Sequence, residues 1–587
     1  MINPKRATLI LVLVLELTLA HTALGVNNEQ MAVDARAIAL ANTVTADPAS
    51  SLPTHYNPAG LSWVDDGKML RNTYALPFLK RTGKFTADED WEGLMGDTWG
   101  PRAPYNPDDP LSAHGGPDPL AGTEGTSSSG RMFLPFYGPL DFSIGSSMGL
   151  SSRAKDSKWT FAHANYAPYG GGMTHRDEDD PLRFKIKSGY AQHLIYTAPT
   201  ASLKLTETLS VGLAVCLGQS AMGTEIDSRA PNELVALQRV LGDATKDLNI
   251  PYISQETMPP PWYGGGSGPY ETNVRADLNL RDDFSPSFNL GLLWRPQSWF
   301  SFGICYQSAI KSEMRGDYFF EYSDQYRATV DWNASSPQTM QTAGMLDLPI
   351  KSVPFQSGTV TGTVRYPQRV QTGIMVKPME KLKLLFDVHW ADWSIIEQDS
   401  FKFDQKIHPL QSAKLLGAKG GDSGIVVDRD MKDTWHWSVG MEYQATPKLC
   451  LRAGYEKRPT SHQAHLFDAG SMPDAEFIGC GIGIRQAKNM RLDLSFGYLF
   501  YHDYKVPNNT SSNFNSNIFT DVGSPYAGLD YEQSLTVKIF AVGITMPIEE
   551  QGRRLSAIGN IVALPFNMLG RLVNMINPFH KDDKHEG

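Results

Sequence analysis

The chain has 587 residues, a formal net charge of −10 and 41% hydrophobic residues, enough for one large domain or two to three ordinary ones. The acidic balance argues against a nucleic-acid partner, because a phosphate-binding surface needs clustered Lys and Arg. Its 52 glycines and 10% aromatic residues suit a β-rich protein with many turns.

At the N-terminus, Lys5 and Arg6 precede an apolar run from Ala7 to Ala20 that only Glu16 and Thr18 interrupt. Ala23-Leu24-Gly25 then supplies small residues for cleavage, so 1–25 reads as a secretion signal, with a membrane anchor as the alternative. Beyond it there is no run of about 18 apolar residues, and an exported chain of this kind can span a membrane only as a closed barrel. Residues 26–66 are small and mixed, too polar for a lipid-facing strand. Such a segment either hangs outside a barrel or folds inward as a hatch that plugs the lumen. It ends in His55-Tyr56-Asn57-Pro58-Ala59-Gly60-Leu61, where Pro58 stiffens the turn before the first strand.

From residue 67 the chain alternates. Trp435, Trp437, Val439, Met441 and Tyr443 interleave with His436, Ser438, Gly440 and Glu442. Leu492, Leu494, Phe496 and Tyr498 interleave with Arg491, Asp493, Ser495 and Gly497. A soluble sandwich also alternates. Runs of about ten residues, with aromatics such as Trp390 and Tyr501 near their ends, instead suit a transmembrane antiparallel β-barrel over 67–548. The count is about 14 strands, starting near residues 68, 131, 142, 182, 209, 284, 300, 361, 381, 432, 448, 475, 490 and 533. An even count puts both termini in the periplasm, with short turns there and the long connections outside. Those long connections cover about 80–130, 222–282, 321–360, 403–430, 459–474 and 508–530. In one of them Leu234, Leu237 and Leu241 share a helical face, either an apolar landing surface for a ligand or a face packed on its own loop.

Cys216, Cys305, Cys450 and Cys480 read as small residues within strands. No spacing suggests a metal site, a cofactor or a catalytic triad, so no enzymatic activity is expected.

The block Asp34 to Leu61, ending in Asn57-Pro58-Ala59, resembles the N-terminal hatch of the FadL family of outer-membrane transporters. The resemblance continues through Phe288-Asn289-Leu290-Gly291, Tyr306-Gln307-Ser308, Met314 to Tyr318, Asp392-Trp393-Ser394, Met431 to Thr434 and Met472-Pro473-Asp474. It implies a barrel in the bacterial outer membrane, plugged by the hatch, that passively admits long-chain fatty acids or other hydrophobic molecules. It also implies capture between outer loops and sideways exit into the bilayer through a kinked third strand, placed here at about Phe142 to Arg153. Asn57, Pro58 and Ala59 would then gate the hatch. The expected partners are a fatty acid or hydrocarbon, membrane lipid and lipopolysaccharide, with the chain acting as a monomer. Arg452 and Arg485 are expected to point inward and could hold a ligand carboxylate; the alternative is a structural pairing with Glu442 or Asp493. The alternative function is a surface adhesin or structural barrel. Family barrels commonly end on their last strand, whereas this chain continues through 549–587, expected as a periplasmic extension with partly helical apolar spacing.

Overall fold

The computed structural model describes residues 33–87, 118–229, 270–506 and 525–548, except 128, 135–137, 142, 176, 335–336, 416–418, 464–465, 467–471, 488–489 and 527. The signal sequence, the loop bearing Leu234, Leu237 and Leu241, and the extension 549–587 lie outside the described residues.

Fourteen antiparallel wall strands close into a barrel. The first is Gly67–Ala87; Glu124–Ser127, Ser129–Gly130 and Gly145–Arg153 together form the second; Trp159–Thr174 is the third. Ser188–Thr197 with Thr200–Lys204 makes the fourth, Leu209–Ser228 the fifth and Val274–Gln297 the sixth. The seventh to tenth each break once: Phe300–Gln307 with Ile310–Tyr322, Phe355–Tyr366 with Arg369–Met379, Leu382–Ala391 with Gln398–Phe403, and Gly424–Asp428 with Thr434–Thr446. Leu449–Arg458, Ala475–Ala487, Met490–Val506 and Leu529–Pro547 complete the wall. Pairing of the first strand with the last, from Met69↔Pro547 to Ala87↔Leu529, closes it and leaves no edge.

The alternation has its physical cause in the two solvents. Trp435, Trp437, Val439, Met441 and Tyr443 are exposed on the outer face, while His436, Ser438 and Glu442 between them are buried inside. Phe288, Leu290 and Trp294 of the sixth strand also face outward, and Asn289 and Leu293 inward. The four cysteines are unpaired and lie in wall strands.

Two strand assignments from sequence need correction. The segment from Phe142 to Arg153 contributes to the second wall strand, and the third is Trp159–Thr174. The residues near 131 form no wall strand of their own: Met132–Leu134 and Gly138–Leu140 make a separate two-stranded hairpin. The extra strand and the missed one cancel in the count. The run near 182 opens as a short helix, Arg183–Ile186, before its strand. Several strands outrun the expected loop boundaries; the fifth reaches Ser228 and the sixth starts at Val274, where a loop over 222–282 was expected.

Residues 33–64 pack against inward-facing side chains of the wall. A helix Ala35–Ala39 is capped by Asp34, whose Oδ1 accepts from the Ala37 amide at 3.1 Å. A second short helix, Pro53–Tyr56, leads into a 3₁₀ segment, Pro58–Trp63. Pro53 and Pro58 sit in the first turn of these elements, where a missing N–H costs nothing.

Candidate functional site

The luminal segment is held by wall side chains that reach its backbone. Ser301 Oγ donates to the Ala46 carbonyl at 2.7 Å, Gln371 Nε2 to that of Tyr56 at 2.6 Å, and Gln307 Nε2 to that of His55 at 2.8 Å. Asn289 Nδ2 donates to the Thr54 carbonyl at 3.0 Å and Ser210 Oγ to that of Ala59 at 2.9 Å. The Thr45 amide donates to Asp387 Oδ2 at 2.9 Å. Inward polar residues thus serve carbonyls and amides that a short, irregular segment cannot pair by itself.

Asn57, Pro58 and Ala59 dock closely against the fifth and sixth strands. Asn57 Nδ2 donates to the Thr45 carbonyl at 3.0 Å and to the Leu292 carbonyl of the sixth strand at 3.1 Å. Its Oδ1 accepts from the Ala59 amide at 3.1 Å. The wall meets this turn with two glycines. A Cβ at Gly291 would lie 2.2 Å from Asn57 Oδ1, and one at Gly212 would lie 2.3 Å from the Pro58 carbonyl carbon. Only glycine permits so close an approach.

An ionic latch holds the other side. All five N–H donors of buried Arg36 are used. Nε and Nη2 grip Glu442 at 2.9 and 2.8 Å, Nη2 and Nη1 reach Asp47 Oδ2 and its carbonyl at 2.9 and 2.8 Å, and Nη1 meets Ser51 Oγ at 3.1 Å. Lys383 approaches Asp47 at 2.7 Å and Glu442 at 3.4 Å. Burial opposes the charge on Asp47, but Lys383 and Arg36 outweigh it and hold its carboxyl below the ordinary value. A second cluster joins Asn42 to Glu456 at 3.1 Å, and Glu456 to His436 and Arg458 at 3.2 and 2.9 Å.

Of the two basic residues singled out from sequence, Arg452 does point inward, but its Nε binds Glu442 at 2.7 Å and its Nη1 binds Asp493 at 2.6 Å. Its charge is spent on the wall. Arg485 is exposed and lines a cavity near the end of the barrel that carries the short turns. Arg36, Asp47 and Lys383 were not singled out. Lys383 and Glu442 lie on inward-facing positions, but their partners in the N-terminal segment, Asp47 and Arg36, are over 300 residues away and carry no sequence signal.

The third wall strand is irregular near its middle. The third strand pairs with the second from Thr160 to Asn165, and again at Met173 and Thr174. On the other side the register with the fourth strand shifts between Tyr166 and Tyr169, bracketing Ala167 and Pro168. This kink lies outside the segment that sequence reasoning took for the third strand. The second strand's missing middle turns toward the lumen-facing Gln192: Phe133 N donates to Gln192 Oε1 at 3.1 Å, and Gln192 Nε2 donates to Phe133 O at 2.8 Å.

A cavity of about 50 Å³ lies between the luminal segment and the first three wall strands, with Leu52, Leu61, Met69, Leu150 and Ala162 in its lining. Among the described residues no cluster of three or more His, Cys, Asp or Glu could hold a metal ion.

These features define a class: a closed fourteen-stranded antiparallel β-barrel whose inward-facing side chains bind its own N-terminal segment. The sequence matches the family model described as outer membrane protein transport protein (OMPP1/FadL/TodX) over residues 145–547, and the chain belongs to this family. A FadL homologue of Pseudomonas aeruginosa superposes with a TM-score of 0.59 at 14% identity, over 90% of this chain and 100% of that one. The Pseudomonas putida toluene transporter TodX gives 0.51 at 14% identity, over 90% and 99%. At such identities the likeness carries the fold alone. Comparison with curated proteins finds no match. Family membership makes the protein an integral outer-membrane transporter of hydrophobic compounds, a passive channel rather than an enzyme, and displaces the adhesin reading.

Proposed function

We propose that the protein takes up long-chain fatty acids or closely similar apolar molecules as a monomer, capturing them at its outer loops. The ligand leaves sideways between the second and third wall strands. The observation that carries this reading is the register shift of the third strand between Tyr166 and Tyr169, at Ala167-Pro168. Proline offers no N–H to the ladder, and Gly170-Gly171-Gly172 follow it without side chains. The straight path is filled by residues 33–64, docked to the wall by Asn57, Pro58 and Ala59 as a hatch. A sideways route exchanges one apolar surrounding for another and spares the ligand an aqueous step. The fatty acid itself is drawn from the resemblance to the family, and lipopolysaccharide is the expected neighbour in the outer leaflet.

Replacing Ala167-Pro168 by a single Thr removes the extra residue of the kink and restores a backbone donor. The expected result is a severalfold fall in uptake of radiolabelled oleate by intact cells, with normal amounts of heat-modifiable barrel in the membrane. Wild-type uptake by an assembled variant would overturn the sideways route. Parallel uptake of labelled toluene separates the route from the choice of ligand.

A further inference from the structure

We propose that the periplasmic mouth of the barrel holds a binding site for phosphate groups, separate from the path of the hydrophobic ligand. A cavity of about 180 Å³ opens there beside the turns joining the eighth to the ninth strand and the tenth to the eleventh. Seven Lys or Arg line it against two Glu. Three of the seven, Lys383, Arg452 and Arg491, are committed to Asp47, Glu442 and Asp493.

The other four, Lys377, Lys381, Lys448 and Arg485, form no ion pair with any described residue. Glu380, the remaining acid of the lining, pairs with none of them. Arg485 also stands directly opposite Arg491 on neighbouring strands. Like charges so placed repel, and their juxtaposition favours an anion between them. The lining is polar apart from Cys450 and the aliphatic stems of the lysines, so it suits a compact, multiply charged oxyanion and not an acyl chain. Ser50, a hatch residue, is part of the same lining, and its carbonyl accepts from Arg491 Nη2. The site therefore adjoins the latch without using its own acids.

The phosphate could come from solution or from the headgroup of a lipid in the inner leaflet, and the test separates the two. Purified full-length protein in detergent is titrated calorimetrically at constant low ionic strength, once with inorganic phosphate and once with dioctanoyl phosphatidic acid. The Lys377→Gln/Arg485→Gln double variant changes only unpaired cations, and Lys381→Gln/Lys448→Gln serves as a second variant should the first fail to assemble. Saturable binding of inorganic phosphate, weakened about tenfold in the variant, supports a site for the free anion. Variant-sensitive binding of phosphatidic acid alone supports the headgroup. No saturable binding of either, or equal affinity in wild type and variant, overturns the proposal.

Discussion

Replacing Arg36 with Met is expected to detach the helical end of the luminal segment while leaving the barrel assembled. The substitution keeps much of the side-chain volume but removes five hydrogen bonds, three of them to the Glu442 and Asp47 carboxylates. Breaking one partner out of a buried ion pair costs on the order of 3–5 kcal/mol, because the remaining charge is left without compensation. Here the lower figure applies: Lys383 stays within 2.7 Å of Asp47, and Arg452 within 2.7 Å of Glu442. A loss of about 3 kcal/mol from the docking of a short segment is enough to raise its undocked population more than a hundredfold. The measurement is single-channel conductance in planar bilayers, where the variant should show open events that the wild type lacks. Closed behaviour identical to wild type, in a variant that retains heat-modifiable mobility, would remove Arg36 from the latch.

The same latch has a definite pH sense. The Asp47 carboxyl is held below its ordinary value of 3.8, so its contribution is complete above that value. It is lost as pH falls through the lowered folded value, when the acid protonates and releases Lys383 and Arg36. Conductance should accordingly stay low from neutral pH down to about 4 and rise only in stronger acid. Opening between pH 5 and 7 would show that some group other than Asp47 controls the segment.

Much of the architecture could be read from the chain because a barrel wall has two solvents. Trp437 and Met441 meet lipid while Ser438 and Glu442 meet the lumen, and that contrast survives in a bare string of letters. The third wall strand escaped notice for a physical reason. Pro168 and the three glycines at 170–172 carry turn chemistry, and here that chemistry serves a strand with a register shift and not a loop. Strand ends were misplaced because the ladder of the fifth and sixth strands continues to Ser228↔Val274, beyond the lipid-facing belt, where no apolar face is needed. The candidate site divides in the same way. Asn57, Pro58 and Ala59 are contiguous and were visible as a motif. The latch joins Arg36 to Glu442 across 406 positions, and alternation alone could say only that Glu442 faces inward. For Arg452, an inward cation could serve a ligand or a neighbouring acid equally well, and the Asp493 contact at 2.6 Å supplies what the pattern could not.

Asn57→Ala should have the largest effect on transport of any single change in the motif. The side chain fixes two carbonyls and one amide, one of the carbonyls belonging to the wall at Leu292. Each such bond is worth about 1 kcal/mol net, and a buried group left unsatisfied costs about 1–3 kcal/mol, so the turn loses roughly 2–4 kcal/mol of definition. Gly291→Val attacks the same contact from the opposite side: its side chain would occupy the space of Asn57 Oδ1, 2.2 Å from the position of Cβ. If the turn acts by holding the hatch against the sixth strand, both variants must misplace it and both must change uptake of labelled oleate in the same direction. If Asn57 instead serves only local folding of the segment, Asn57→Ala will alter uptake and Gly291→Val will not. Combining the two changes decides the matter, since residues sharing one contact are not additive: the double variant should be no worse than the more severe single one. Additive losses in assembled barrels would mean that the motif and the wall glycine act separately, and the docking role of Asn57 would have to be abandoned.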